Sequence, residues 1–197
     1  MAGARTRSTR ILTAIVTLLL LVSVAFGAFL VVGLIAGIGP NGHEVVVHTQ
    51  VDGAHVVGLP RGSIPPDHID VLVRVRHADR QQLAWAAGRD LVPVVVFVTA
   101  IWLVRRLLRS VRDGDPFTGT NVRRLRSLAL VVLIGVPLAI FVSSIFAGSL
   151  ARSAGLPSSG TEITMPGAAL LGGLALFVLA EVFRGGLRMR DDLEGTV

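Results

Sequence analysis

The chain has 197 residues, 52% of them hydrophobic and only 16% charged, with a mean hydropathy of +0.70. That charged share lies well below the roughly 25% of soluble domains, so a water-soluble globule is excluded and a bilayer is the expected solvent. Its net charge of +6 comes from 19 arginines and no lysine, and it has no cysteine, which excludes disulfides, thiolate metal sites and cysteine nucleophiles.

Ile11 to Ile38 is a run of 28 residues without a charge, long enough for a span at about 20 residues per crossing. Arg5, Arg7 and Arg10 precede it, as in a secretory signal peptide. The apolar core nevertheless continues well beyond a signal-like h-region of about 7–15 residues, so an uncleaved anchor is expected. Gly39-Pro40-Asn41-Gly42 ends it.

The next 45 or so residues, within 39–84, read as a small β element. Asp52-Gly53 is a two-residue hairpin signal, and it predicts a hairpin over Glu44 to Val57. Val45, Val47, Thr49 and Val51 would then share one face. Ile69, Val71, Val73 and Val75 alternate with polar or exposed positions and predict a third strand that steadies the hairpin. All five histidines, His43, His48, His55, His68 and His77, fall in this loop. The hairpin register would make His48 and His55 neighbours, open to a two-histidine metal site, to pH sensing, or simply to solvent. No third ligand is defined, so no metal or cofactor is expected.

A second span is predicted over about 85–107. Trp85 and Trp102 bracket it 17 residues apart, about 25 Å along a helix, as in an aromatic belt. Arg89 and Asp90 would sit near its outer end, and Pro93 would stiffen or kink that end. Leu103, Leu107, Leu108 and Val111 alternate with Arg105, Arg106, Arg109 and Arg112 at helical spacing, so this helix should run past the membrane. Asp113-Gly114-Asp115-Pro116 breaks it, and Thr118, Thr120 or Asn121 can cap the next helix. The third span is predicted over about 125–150, with Pro137 near its middle. The fourth is predicted over about 165–187, with Pro166 in its first turn and Glu181 at its inner end.

The arginines sort these elements. The N-tail carries three, the 103–127 connection seven and the C-tail three, against five in 39–90 and one in 148–164. The positive-inside rule therefore places both termini and the middle connection in the cytoplasm and the β element outside it. The fold class expected is an all-α integral bundle of four transmembrane helices in the plasma membrane, with a small extracytoplasmic β element between helices 1 and 2.

Arg123, Arg124 and Arg126 open the third helix, against its macrodipole. Anionic lipid headgroups can offset this. So can the acids Asp191, Asp192 and Glu194, which follow Arg184, Arg188 and Arg190. No glycine-rich phosphate loop accompanies these arginines, and they line no groove, so neither a nucleotide site nor direct nucleic-acid binding is expected.

Asp115-Pro116-Phe117-Thr118, Asn121 and Arg124-Leu125-Arg126, with the ending Leu179-Ala180-Glu181-Val182-Phe183-Arg184-Gly185-Gly186-Leu187-Arg188-Met189-Arg190-Asp191-Asp192-Leu193-Glu194-Gly195-Thr196-Val197, resemble a bacterial four-span family catalogued as domain of unknown function 2975. Gly185 departs from the basic residue common there. The family has no assigned activity. Some members resemble partners of small helix-turn-helix regulators, so the resemblance implies a protein partner of that kind.

Mid-span chemistry is sparse. Thr99, Ser143 and Ser144 are the polar groups, and no histidine is predicted in the bilayer to activate a hydroxyl. Gly33 with Gly37, Gly135 with Ala139 and Ala168 with Gly172 favour close helix packing, within one bundle or between chains. The expected function is non-enzymatic: a sensor, regulator or assembly partner with an arginine-rich cytoplasmic face. A small transporter or channel component is the alternative. The candidate interaction residues are Arg105, Arg106, Arg109, Arg112, Asp115, Pro116, Phe117, Asn121, Arg123, Arg124, Arg126, Glu181, Arg184, Asp191 and Asp192.

Overall fold

The structure is a computed structural model that describes residues 2–36, 44–52, 68–112, 118–156 and 166–194, with side chains described except at 2–12, 48–52, 68–70, 112 and 190–194. The elements are α1 (Ala2–Ala36), β1 (Val45–Asp52), β2 (His68–Val75), α2 (Arg80–Arg112), α3 (Gly119–Leu130), a π-helical turn (Val131–Gly135), α4 (Val136–Ser153) and α5 (Gly167–Glu194). The segments Thr13–Ala36, Arg80–Val111, Gly119–Ser153 and Gly167–Met189 are four helical stretches long and apolar enough to cross a membrane. Leu18, Leu21, Phe29 and Ile35 of α1, Phe97 of α2 and Leu171 and Val178 of α5 are among many large exposed apolar side chains. In water such surface would drive aggregation, whereas lipid solvates it.

The chain packs as two compact units, one of residues 28–92 and 140–164, the other of residues 1–27, 93–139 and 165–197. In the first, β1 pairs antiparallel with β2, Val45 opposite Val75 and Asp52 opposite His68. The described partner of β1 is thus the strand expected to be third. The expected near arm of the hairpin, with His55, lies outside the described residues, as does His43. Alternation holds where side chains are described: Val45 and Val47 are buried, while Leu72 on the opposite face is 62% exposed. Val45 and Val47 join Ala78, Leu83, Ala86, Leu150 and Ala151 in a core closed by Val75, Trp85 and Leu156. Trp85 therefore packs inward, its ring 5.8 Å from that of Phe146, and does not serve only as a lipid belt.

His77 turns β2 toward α2 at a φ of +59°. A reciprocal capping box then starts α2: Gln82 N–H donates to Asp79 Oδ1 at 2.7 Å, and Asp79 N–H to Gln82 Oε1 at 3.1 Å. At the end of α4, Gly155 at φ +70° allows Leu156 N–H to reach the Ala151 carbonyl and Gly155 N–H that of Arg152. This is the Schellman arrangement, and it seats Leu156 on the core.

Within α2, Pro93 has no N–H to give to the Arg89 carbonyl one turn earlier. Ser143 of α4 supplies the missing donor, its hydroxyl 3.0 Å from that carbonyl. Bare carbonyls cost several kcal/mol in hydrocarbon, so this cross-helix bond is what lets α2 keep its proline.

In the second unit, α3 packs along α5, and the π turn packs on α5 as well. The sequence explains the turn. Pro137 cannot donate to the Leu133 carbonyl, and the backbone just before it widens, with Val136 N–H bonding back to Val131. α5 meets this widened backbone at Gly173. A Cβ there would lie 2.8 Å from Leu133 Cβ, 2.9 Å from its N and 3.0 Å from its Cα. Ala129 of α3 and Ala180 of α5 are fully buried. Within this chain the expected pair Ala168 and Gly172 is not the packing stripe. Ala168 is exposed, and nothing lies within 4 Å of a Cβ built on Gly172. The contact falls one residue later, at Gly173, because that face meets Leu133. Gly135 and Ala139 do pack: a Cβ on Gly135 would touch Val96 at 3.6 Å, and Ala139 is buried.

Candidate functional site

The α2–α3 corner carries most of the residues expected to interact. Thr118 proves to be the N-cap of α3, its backbone extended and its side chain accepting from Asn121 N–H at 3.2 Å. That bond turns Asn121 inward, where it is only 1% exposed. A buried amide must find partners. Its Nδ2 donates to Ser110 Oγ at 2.7 Å, and its Oδ1 accepts from Arg124 Nη1 at 3.1 Å. Arg124 also reaches the Arg106 carbonyl at 3.3 Å. Asn121 thus ties the end of α2 to the start of α3 and fixes one guanidinium. Ser110 was not among the expected site residues. The signal for it was a small hydroxyl on the inward side of an arginine-flanked helix end.

Asn121→Leu is expected to lower stability by about 2 kcal/mol, since Ser110 and Arg124 each lose a partner. In detergent this should appear as a melting temperature about 6 °C lower. Arg123→Ala, at an exposed neighbouring position, should stay within about 0.5 kcal/mol of the parent. Equal losses in both would remove Asn121 from this role.

A second cluster joins α3 to α5. Arg126 Nη2 pairs with Glu181 Oε1, and the other carboxylate oxygen, Oε2, lies 2.8 Å from Arg184 Nη2. One carboxylate thereby holds two guanidiniums across 55 residues of sequence, and this partly offsets the arginine-rich start of α3. The acids expected to do so, Asp191, Asp192 and Glu194, stand in the final turn of α5 with side chains outside the described set. Arg112 closes α2, and its side chain is likewise outside that set. Asp115, Pro116 and Phe117 lie outside the described residues altogether.

The remaining arginines are on α2 and α3. Arg106 stacks its guanidinium on Trp102, 3.9 Å from the ring centroid. Arg109 and Arg123 are exposed, while Arg105 is half-buried with its Nε enclosed and unbonded.

In the other unit Arg89 is bonded within the protein. Nε is 2.8 Å from Asp90 Oδ1, and Nη1 donates to the Val46 carbonyl at 2.9 Å. The pair is about one-quarter to one-third exposed. It anchors strand β1 to helix α2. Among the described residues no group of three His, Asp or Glu side chains could hold a metal.

Four apolar spanning helices with a charged, cross-braced end define a multi-pass membrane protein, its apolar helix surface facing lipid. Residues 90–197, more than half of the chain, match the family described as protein of unknown function, DUF2975, and the protein belongs to that family. No functionally curated protein and no solved structure matches it.

Proposed function

We propose that this is a non-enzymatic plasma-membrane protein, with both termini cytoplasmic, whose arginine-rich end receives a protein partner and so serves in sensing, regulation or assembly. One observation carries the reading. The family match begins at Asp90, so it takes in the whole braced arginine cluster from Arg105 to Arg184 and leaves out α1 and the sheet. The matched region therefore contains this braced, cationic helix end. Asn121, Glu181 and Ser110 hold that end in shape, while Arg109 and Arg123 stay exposed. The ionisable groups of the spans also support this reading over a transporter. Arg89, Asp90 and Glu181 are each engaged by protein partners, whereas carriers keep such groups facing a water-filled path.

Orientation follows the sorting of arginines, 13 of 19 lying in the tails and the 103–127 connection. Alkaline phosphatase fused after Asp115 is expected to be inactive, and fused after Gly155 active; the reverse pattern ends the orientation. For the partner, crosslinking in intact membranes should recover a protein whose yield falls at least fivefold in Arg109→Gln/Arg123→Gln. Helix-turn-helix regulators are the class to look for first, as the family resemblance suggests. Equal recovery by parent and variant, or none by either, counts against the reading.

A further inference from the structure

We propose that α2 carries a site for one anionic phospholipid, with its phosphate on Arg105 and an acyl chain lying in the groove between α1 and α2. This is independent of any protein partner.

Two separate observations meet on one face of one helix. The first is a groove of about 450 Å³ lined by Val22, Ser23 and Phe26 of α1 and Pro93, Val94 and Phe97 of α2. Ser23 spends its hydroxyl on the Leu19 carbonyl at 2.7 Å, so the lining offers almost no polar group and suits a hydrocarbon chain. The second is Arg105. Among the described residues it has no acidic or hydrogen-bonding partner, and its Nε is enclosed. Arg106 stacks on Trp102, Arg124 is held by Asn121, and Arg126 and Arg184 share Glu181. Arg105 is thus a half-buried charge with no described protein partner, open to an anion from outside the described residues.

Helical geometry joins the two. Val94 and Arg105 are 11 residues apart. That is about three turns, so they share a face at a separation of about 16 Å. Half of a hydrocarbon core of about 30 Å is close to that distance. Phe97 and Ile101 continue the stripe between them. A lipid with its phosphate at Arg105 would therefore lay its chain along α2 and end it in the groove, one leaflet deep. Trp102, 42% exposed and one turn from Arg105, marks the headgroup level. The charge requires an anionic headgroup, and the groove requires that the anion carry a chain.

The test uses the full chain in nanodiscs. Trp102 is read alone in a Trp85→Phe background, with quenching by phosphatidylglycerol or phosphatidylcholine bearing brominated chains. Phosphatidylglycerol should quench with about fivefold preference, the scale of one arginine at a charged membrane surface. The preference should fall below twofold in Arg105→Gln and in the groove-filling Ser23→Phe, and survive in Arg105→Lys. Arg123→Gln removes the same charge from exposed α3, off this stripe of α2, and should leave the preference intact. An equal loss there, or no preference in the parent, overturns the site in favour of diffuse attraction. Abolition of the preference by inorganic phosphate alone would also overturn it, by assigning Arg105 to a soluble anion.

Discussion

Gly173→Leu is expected to be the most damaging single substitution in the protein. α5 touches the π turn at backbone distance there, and even a methyl group would sit 2.8–3.0 Å from Leu133 atoms, two of them main-chain. A flexible side chain could move aside, but this backbone cannot, because it is held within a continuous helical span from Gly119 to Ser153. Overpacking by a few methylenes costs about 1–3 kcal/mol. A leucine against a backbone should reach or exceed the top of that range, a fall of about 10 °C in melting temperature. The neighbour supplies the control. Gly172→Leu adds the same volume where nothing lies within 4 Å, and should change stability by less than about 0.5 kcal/mol. Thermal unfolding in detergent, followed by size-exclusion recovery, separates the two, and a similar loss at both glycines would refute the contact.

Arg89→Leu should be nearly as costly. It leaves the Asp90 carboxylate without its cation and the Val46 carbonyl without its donor, in a pair only a quarter to a third exposed. Breaking a fully buried pair costs about 3–5 kcal/mol; partial exposure lowers the expectation here to about 2 kcal/mol. Arg89→Leu/Asp90→Leu should recover more than half of it, since the stranded charge goes too. Arg89→Lys should fall between, because one ammonium lacks the fork that serves both a carboxylate and a carbonyl. A double variant no more stable than Arg89→Leu would show that the two residues are not energetically coupled.

The four apolar helices were legible because a span needs only local information: a long apolar run and a charged or glycine-rich stop. A cap among Thr118, Thr120 and Asn121 was legible for the same reason, since capping is a short-range bond, and the structure selects Thr118. Strand alternation told which face of β1 is buried, but not its partner. Asp52-Gly53 is a strong local turn signal, whereas β2 begins at His68, and pairing across that interval is decided by the shared core of Val45, Val47 and Leu150. Choosing between Gly172 and Gly173 needed knowledge of which face of α5 meets α3. The Arg126–Glu181 pair lay beyond sequence reasoning in detail: the arginines opening α3 called for anionic lipid or for acids, and the acids named were those of the tail. Pro137 was legible near the middle of the third span, but not that the helix before it would widen into a π turn received by a glycine.

The hydroxyl of Ser143 on the Arg89 carbonyl bears on biogenesis. Emerging alone into lipid, α2 would expose a proline gap and an arginine–aspartate pair near the same turn, while the hydroxyl and strand that satisfy them belong to segments on either side of it in the chain. α2 is therefore a poor independent tenant of the bilayer. It should remain close to the insertion machinery until residues near 143 have been synthesised, and then partition together with them. The proline thus couples the timing of two insertion events that hydropathy alone would treat as separate.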